Sequence, residues 1–130
     1  MKTITESGSR KTAVARAVLR EGKGIVHVNR RLLAYFPQMY MMRMQEPLLI
    51  AKDFAQKVDI TVDIHGGGVS SQADAARVAI SRALVAYEPS LESEFLNYDR
   101  LLLVEDVRRK ETHKPNCHGK ARAKRQKSYR

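Results

Sequence analysis

Gly66-Gly67-Gly68, with Ser70 and Ser71 directly behind it, is the stretch of this 130-residue chain best composed to hold a small anion. If a helix opens there, its free backbone N–H groups and the positive end of its dipole can receive a phosphate. The surroundings do not suit a nucleotide enzyme, because a lysine at Walker spacing is absent and no general base stands near. The simpler reading is that the glycines reverse the chain between a strand and a helix. His113, Cys117 and His118 are zinc-type donors in a short window. Three donors without a second cluster make a weak signal, and the adjacency of Cys117 and His118 strains tetrahedral geometry. Glu92 with Glu94, and Glu105 with Asp106, are paired carboxylates of the kind used in acid–base work. Nothing in the sequence arranges a pocket around them, and exposed charge is the expectation. Cys117 as a nucleophile has no positioned base. No catalytic residue, metal ligand or cofactor is assigned from these stretches.

The chemistry with the strongest signal is electrostatic. The chain ends "KARAKRQKSYR", in which six of eleven side chains are cationic. Residues 1–107 carry 14 Lys and Arg against 13 Asp and Glu, whereas residues 108–130 carry 10 against the single Glu111. The sequence thus predicts a near-neutral globular domain over 1–107 and a basic tail over 108–130. Such a tail buries too little apolar surface to offset its own ordering entropy, so an anionic partner must order it. Pro115, Gly119 and small residues permit an extended path, and Tyr129 offers a stacking ring, which together favour a polynucleotide. Fully extended, 23 residues reach roughly 75–80 Å, several times the radius of a globule this size. A membrane is the other polyanion, but no amphipathic apolar face or lipidation motif accompanies the basic residues. No run approaches the ~20 apolar residues of a membrane span, and "MKTITESGSRK" lacks the apolar core of a signal peptide. A single cysteine fits a reducing compartment. These features predict a cytoplasmic protein.

The elements that must position these residues follow from periodicity. "VDITVDIH" alternates Val58, Ile60, Val62 and Ile64 with Asp59, Thr61, Asp63 and His65, the mark of a strand with one packed and one wet face. "TAVARAVLREGKGIVHVN" reads as two strands around Glu21-Gly22-Lys23-Gly24, a hairpin composition. Its first run puts Ala13, Ala15, Ala17 and Leu19 on one face and Val14, Arg16, Val18 and Arg20 on the other, wet or polyanion-facing side. Asn29 is placed to cap a short helix through "RRLLAYF", halted at Pro37. The methionines of "QMYMMRMQE" suggest an adaptable packing surface without an assigned partner, and Pro47 fits the first turn of a helix through "LLIAKDFA". Ser71 and Asp74 have capping-box spacing, which predicts a helix that starts at Gln72 and is stopped by Glu88-Pro89. Its packed side is Ala73, Ala76, Ile80, Ala83, Leu84 and Tyr87. "SLESEFLNY" gives one more short helix before "LLLV". The order predicts an α+β sandwich with helices over one sheet face.

Taken in order, "SGSRKTAVARAVLREGKGIVHVN", "EPLLIA", "GGGVSSQADAARVAISRALVAY", "YDRLLLVEDVRRKE" and the terminal "KARAKRQKSYR" resemble the ribosomal protein S-nine family of the small subunit. The ending "QKSYR" is similar to the archaeal and eukaryotic-cytoplasmic branch, and the compact length leans archaeal. The resemblance implies a two-layer α/β fold with a four-stranded sheet and an extended basic C-terminal tail. It implies a structural, non-enzymatic role on ribosomal RNA in the head of the small subunit, beside neighbouring head proteins. It implies rRNA contacts from Arg10, Lys11 and Arg16, and along the tail from Arg108, Arg109, Lys110, Lys120, Arg122, Lys124, Arg125 and Lys127. Ser128, Tyr129 and Arg130 would be the tip closest to peptidyl-site tRNA. "THKPNCHGK" matches least well, so His113 to His118 receive no role. Two other readings compete: a free RNA or DNA chaperone built on the tail, and a small phosphotransfer enzyme using the Gly66 to Ser71 loop, which is faintly similar to the Gly-Ser loop of small-metabolite kinases.

Overall fold

The computed structural model describes residues 2–117 and 121–122. Its sheet has five strands, β1 (Ile4–Arg10), β2 (Ala13–Glu21), β3 (Val26–Val28), β4 (Arg31–Leu32) and β5 (Val58–His65), in the spatial order β1-β2-β5-β3-β4. The strictly alternating β5 is the central strand, antiparallel to β2 and parallel to β3. Among the described residues three α-helices, α1 (Gln38–Ala51), α2 (Val69–Tyr87) and α3 (Leu91–Tyr98), accompany the sheet. α2 lies on β1, β2 and β5, with α1 against α2. Ala13, Ala15, Ala17, Leu19, Val58, Ile60 and Val62 are buried with Ala76, Ala79, Ile80 and Ala83 of α2. The opposite sheet face is open, with Arg16, Arg20, Thr61 and Asp63 exposed. The predicted α+β class with helices on one sheet face is what forms. The sheet has five strands rather than four, because the two-residue β4 adds an edge.

Several local expectations are corrected. β2 and β3 do not make a hairpin, because β5 inserts between them. Eight residues of β5 pair with β2, Val58 to His65 against Glu21 to Val14, and Val26 to Val28 pair with its other edge. The Asp59 carboxylate accepts the N–H groups of Lys23 and Ile25, both at 2.9 Å, and so carries the connection past the start of β5. These backbone donors hold the Asp59 carboxyl below the usual carboxylate range. β1, to which the periodicity assigns no element, pairs with β2 along its whole length through the two-residue turn Lys11–Thr12. Gly8 is required in β1: a Cβ there would stand 2.7 Å from both the Ala75 carbonyl oxygen and the Ala79 nitrogen of α2.

Asn29 caps no helix. With φ of 48° and 67°, Asn29 and Arg30 are the two central residues of a tight turn joining β3 to β4, the sign pattern of a type I′ hairpin. The Asn29 side-chain oxygen accepts the Ile64 N–H at 2.8 Å. Of the expected helix before Pro37, one 3-10 turn forms at Leu33–Tyr35. α1 is one helix through the methionine-rich run, and Pro47 is buried in its interior rather than in a first turn, leaving the Arg43 carbonyl without its helical donor. Met44 is buried and Met41 packs on the core, while Met39 and Met42 are exposed. α2 starts at Val69, three residues earlier than the capping-box spacing indicates, because the Gln72 N–H already donates to the Gly68 carbonyl at 2.9 Å, while Ser70 and Asp74 are engaged by Arg43 at 2.9 and 3.5 Å.

Candidate nucleic-acid interface

The root of the C-terminal segment is fastened to β1 and α2 by side chains that are 21 to 96 residues apart in sequence. After the 3-10 turn Arg100–Leu102, Arg82 of α2 donates from Nε to the Leu103 carbonyl at 2.9 Å. From Nη1 it donates to the Ser7 carbonyl at 2.8 Å and to Glu105 at 3.0 Å. Ser9 Oγ donates to the other Glu105 oxygen at 2.8 Å. Arg10 pairs with Asp106 at 3.5 Å, its side chain only 16% exposed. Asp106 also accepts the Arg108 backbone N–H at 3.0 Å and the Arg108 guanidinium at 2.6 Å. The Arg108 side-chain bonds, then its backbone bond and the nearby Arg10 charge, hold the Asp106 carboxyl far below the usual carboxylate range. Glu105 and Asp106 are therefore half-buried anchors, not the freely exposed charges their sequence context suggests.

One step further, the Arg109 guanidinium donates to the Lys11 carbonyl oxygen at the β1–β2 turn. This closes an open hollow of about 710 Å³ lined by Arg10, Lys11, Thr12, Arg108, Arg109 and Lys110. Five of its six lining residues are cationic and none is acidic. Two of those five, Arg10 and Arg108, are engaged by Asp106. Lys11, Arg109 and Lys110 are exposed and have no acidic partner among the described residues. Lys11 holds this place at φ 54°, a backbone conformation that favours glycine. A concave surface with three uncompensated cations contributed by both ends of the chain is suited to backbone phosphates, and its openness does not suit an enclosed small molecule.

The model of the family Ribosomal protein S9/S16 matches residues 8–130, a span that includes the Lys11 turn, the anchored root and the whole basic segment. The chain belongs to the ribosomal protein S9/S16 family. It is similar along its full length to the small ribosomal subunit protein uS9 of Methanococcus maripaludis, 43% identical over 134 residues with both chains fully covered. To that of Thermoplasma acidophilum it is 52% identical over 127 residues, covering 95% of this chain and 98% of the relative. Both relatives are archaeal, which agrees with the lean read from the compact length and with the branch suggested by the "QKSYR" ending.

Within this S9/S16 chain, the structure gathers Arg10, Lys11, Arg108, Arg109 and Lys110 at one place and leaves Arg16 outside it. Arg16 stands on the open sheet face, in register with Asp63 of β5 and Ser7 of β1. Arg122 pairs with Glu111 at 2.5 Å, which lowers the Glu111 carboxyl from its ordinary range. Lys120, Lys124, Arg125, Lys127, Ser128, Tyr129 and Arg130 lie outside the described residues, as does His118. His113 and Cys117 belong to no group of three metal-capable side chains among the described residues. At the Gly-Ser loop, Gly66 and Gly67 have φ of 77° and 66° and pack on Thr12 and Ala13. Ser70 is taken up by Arg43, so the glycines serve the chain reversal. Sequence reasoning missed Arg82, Glu105 and Asp106 as positioning residues. Their partners are distant in sequence, and no local spacing could have found them.

Proposed function

We propose that this S9/S16-family protein is a non-enzymatic constituent of the small ribosomal subunit that grips ribosomal RNA with the hollow around Lys11, Arg109 and Lys110. From that root, residues 108–130 run along RNA with Lys120, Arg122, Lys124, Arg125 and Lys127 on phosphates. Ser128, Tyr129 and Arg130 end beside the anticodon stem-loop of peptidyl-site tRNA. The protein works in the cytoplasm, inside the ribosome and beside other proteins of the subunit head. Family membership supports the setting. The observation that carries the RNA contact is the convergence of cations from residues 10–11 and 108–110 on one acid-free hollow.

A salt titration of the full-length protein on small-subunit rRNA tests the reading. Neutralising a phosphate releases counterions, so each lost contact lowers the slope of log K against log salt by roughly 0.7–0.9. Lys11→Ala with Lys110→Ala is expected to flatten the slope by about 1.4–1.8 in total. An unchanged slope would remove the hollow from the RNA interface.

A further inference from the structure

The turn between β3 and β4 carries a second cluster of cations. His27, Arg30, Arg31, Leu32 and Tyr35 line one open hollow, with no acidic side chain among them. Arg30 and Arg31 are exposed, and Tyr35 is 76% exposed, the largest exposure of any aromatic side chain among the described residues. Arg30 stands at φ 67° in the second central position of the turn, where glycine is the least strained choice. An unstrained turn would be obtained with glycine, and strain of this kind collects at functional sites. The same backbone oddity places Lys11 in the first hollow, at φ 54°.

Topology joins the two places. The β1–β2 turn lies beside His65, since Val14 pairs with His65. The β3–β4 turn lies beside Ile64, whose N–H is held by Asn29. Both cationic turns therefore sit at the end of the sheet where β5 finishes. From between β1 and β2 to between β3 and β4 is three strand spacings, about 14 Å. That spacing is wide enough for the two hollows to face separate phosphates of one RNA.

We propose that His27, Arg30, Arg31 and Tyr35 form a second RNA-binding site, which takes an unpaired nucleotide with its base stacked on Tyr35 and its flanking phosphates on Arg30 and Arg31. This rests on the RNA-binding reading above and adds a site on the other side of β5. Arginine suits phosphate forks, and an exposed ring stacks on any base.

The test uses the full-length protein and small-subunit rRNA. Arg30→Ala with Arg31→Ala is expected to lower the salt slope by about 1.4, the single-strand value for two contacts. Tyr35→Ala is expected to weaken binding roughly five- to hundredfold at every salt concentration with the slope unchanged, and Tyr35→Phe to restore it. Arg30→Gly separates function from folding: it should keep or raise the melting temperature while weakening RNA binding. If these variants bind like the wild type while Lys11→Ala with Lys110→Ala weakens, the second site is wrong and the first stands. If neither set weakens binding, both fall together.

Discussion

Arg10 and Asp106 illustrate how a residue's neighbours decide its task. Arg10 is cationic and lies in the basic N-terminal stretch, yet its guanidinium is mostly buried against Asp106, so its role is to hold the tail root. Replacing Asp106 with Asn is expected to free Arg10 and Arg108 together, raising amide exchange at Arg108 without weakening RNA binding at low salt. Weakened RNA binding would mean that the anchor itself shapes the interface. Because the Asp106 carboxyl is depressed, its stabilisation is complete above the unfolded value of about 3.9 and is lost as pH falls through the lower folded value. The Arg108 amide should therefore keep its protection from pH 8 to about 5 and lose it only in stronger acid. Loss of protection near neutral pH would contradict the ion pair. Gly8 was legible as a small residue but not as a contact point. Gly8→Ala should cost about 1–3 kcal/mol by forcing β1 away from α2, measured by thermal or denaturant unfolding; an unchanged stability would mean the two elements are not in contact.

At the scale of elements, the alternation of β5 and the apolar stripe of α2 were readable because each repeats over many residues. Short and edge elements were not. β4 is two residues long, and the turn before it is tied to β5 by the Asn29 side chain accepting from Ile64. The crossover from β2 to β3 looked like a hairpin because local composition records a turn, not which strand will fill the gap. Asp59 is the device that holds it, and Asp59→Ala should speed hydrogen exchange at Lys23 and Ile25 ahead of the rest of β2. Uniform exchange would show that the loop needs no such tie. Arg82 joins α2, β1 and the segment from Leu103 to Glu105 through three acceptors. Arg82→Met keeps most of the packing and removes those bonds, with an expected loss of about 2–3 kcal/mol in global unfolding.

For the whole molecule, the proposed mode of binding rests on the charge division between residues 1–107 and 108–130. Many phosphate contacts along a path substitute for one another, so single Lys→Ala changes in residues 120–127 should alter subunit assembly little. Deleting Ser128 to Arg130 is expected to lower occupancy of peptidyl-site tRNA while assembly stays normal. Failed assembly after that deletion would overturn the separation of path from tip. The fastened root gives this arrangement its origin: Arg82, Ser9 and Arg10 fix where the segment leaves the globule.

Composition and periodicity alone determined the α+β class, the alternating strand that became β5, the long helix and its packed side, and the open arginine-bearing sheet face. Each is a property of residue type summed over a local window. Only the tertiary structure decided that β5 parts β2 from β3, and that Lys11 and Arg109 meet. It also showed that Arg10 and Arg108 are held by Asp106, and that the Lys11 and Arg30 turns share one end of the sheet. Those facts depend on strand order and on ion pairs between residues far apart in the chain, which no local pattern encodes.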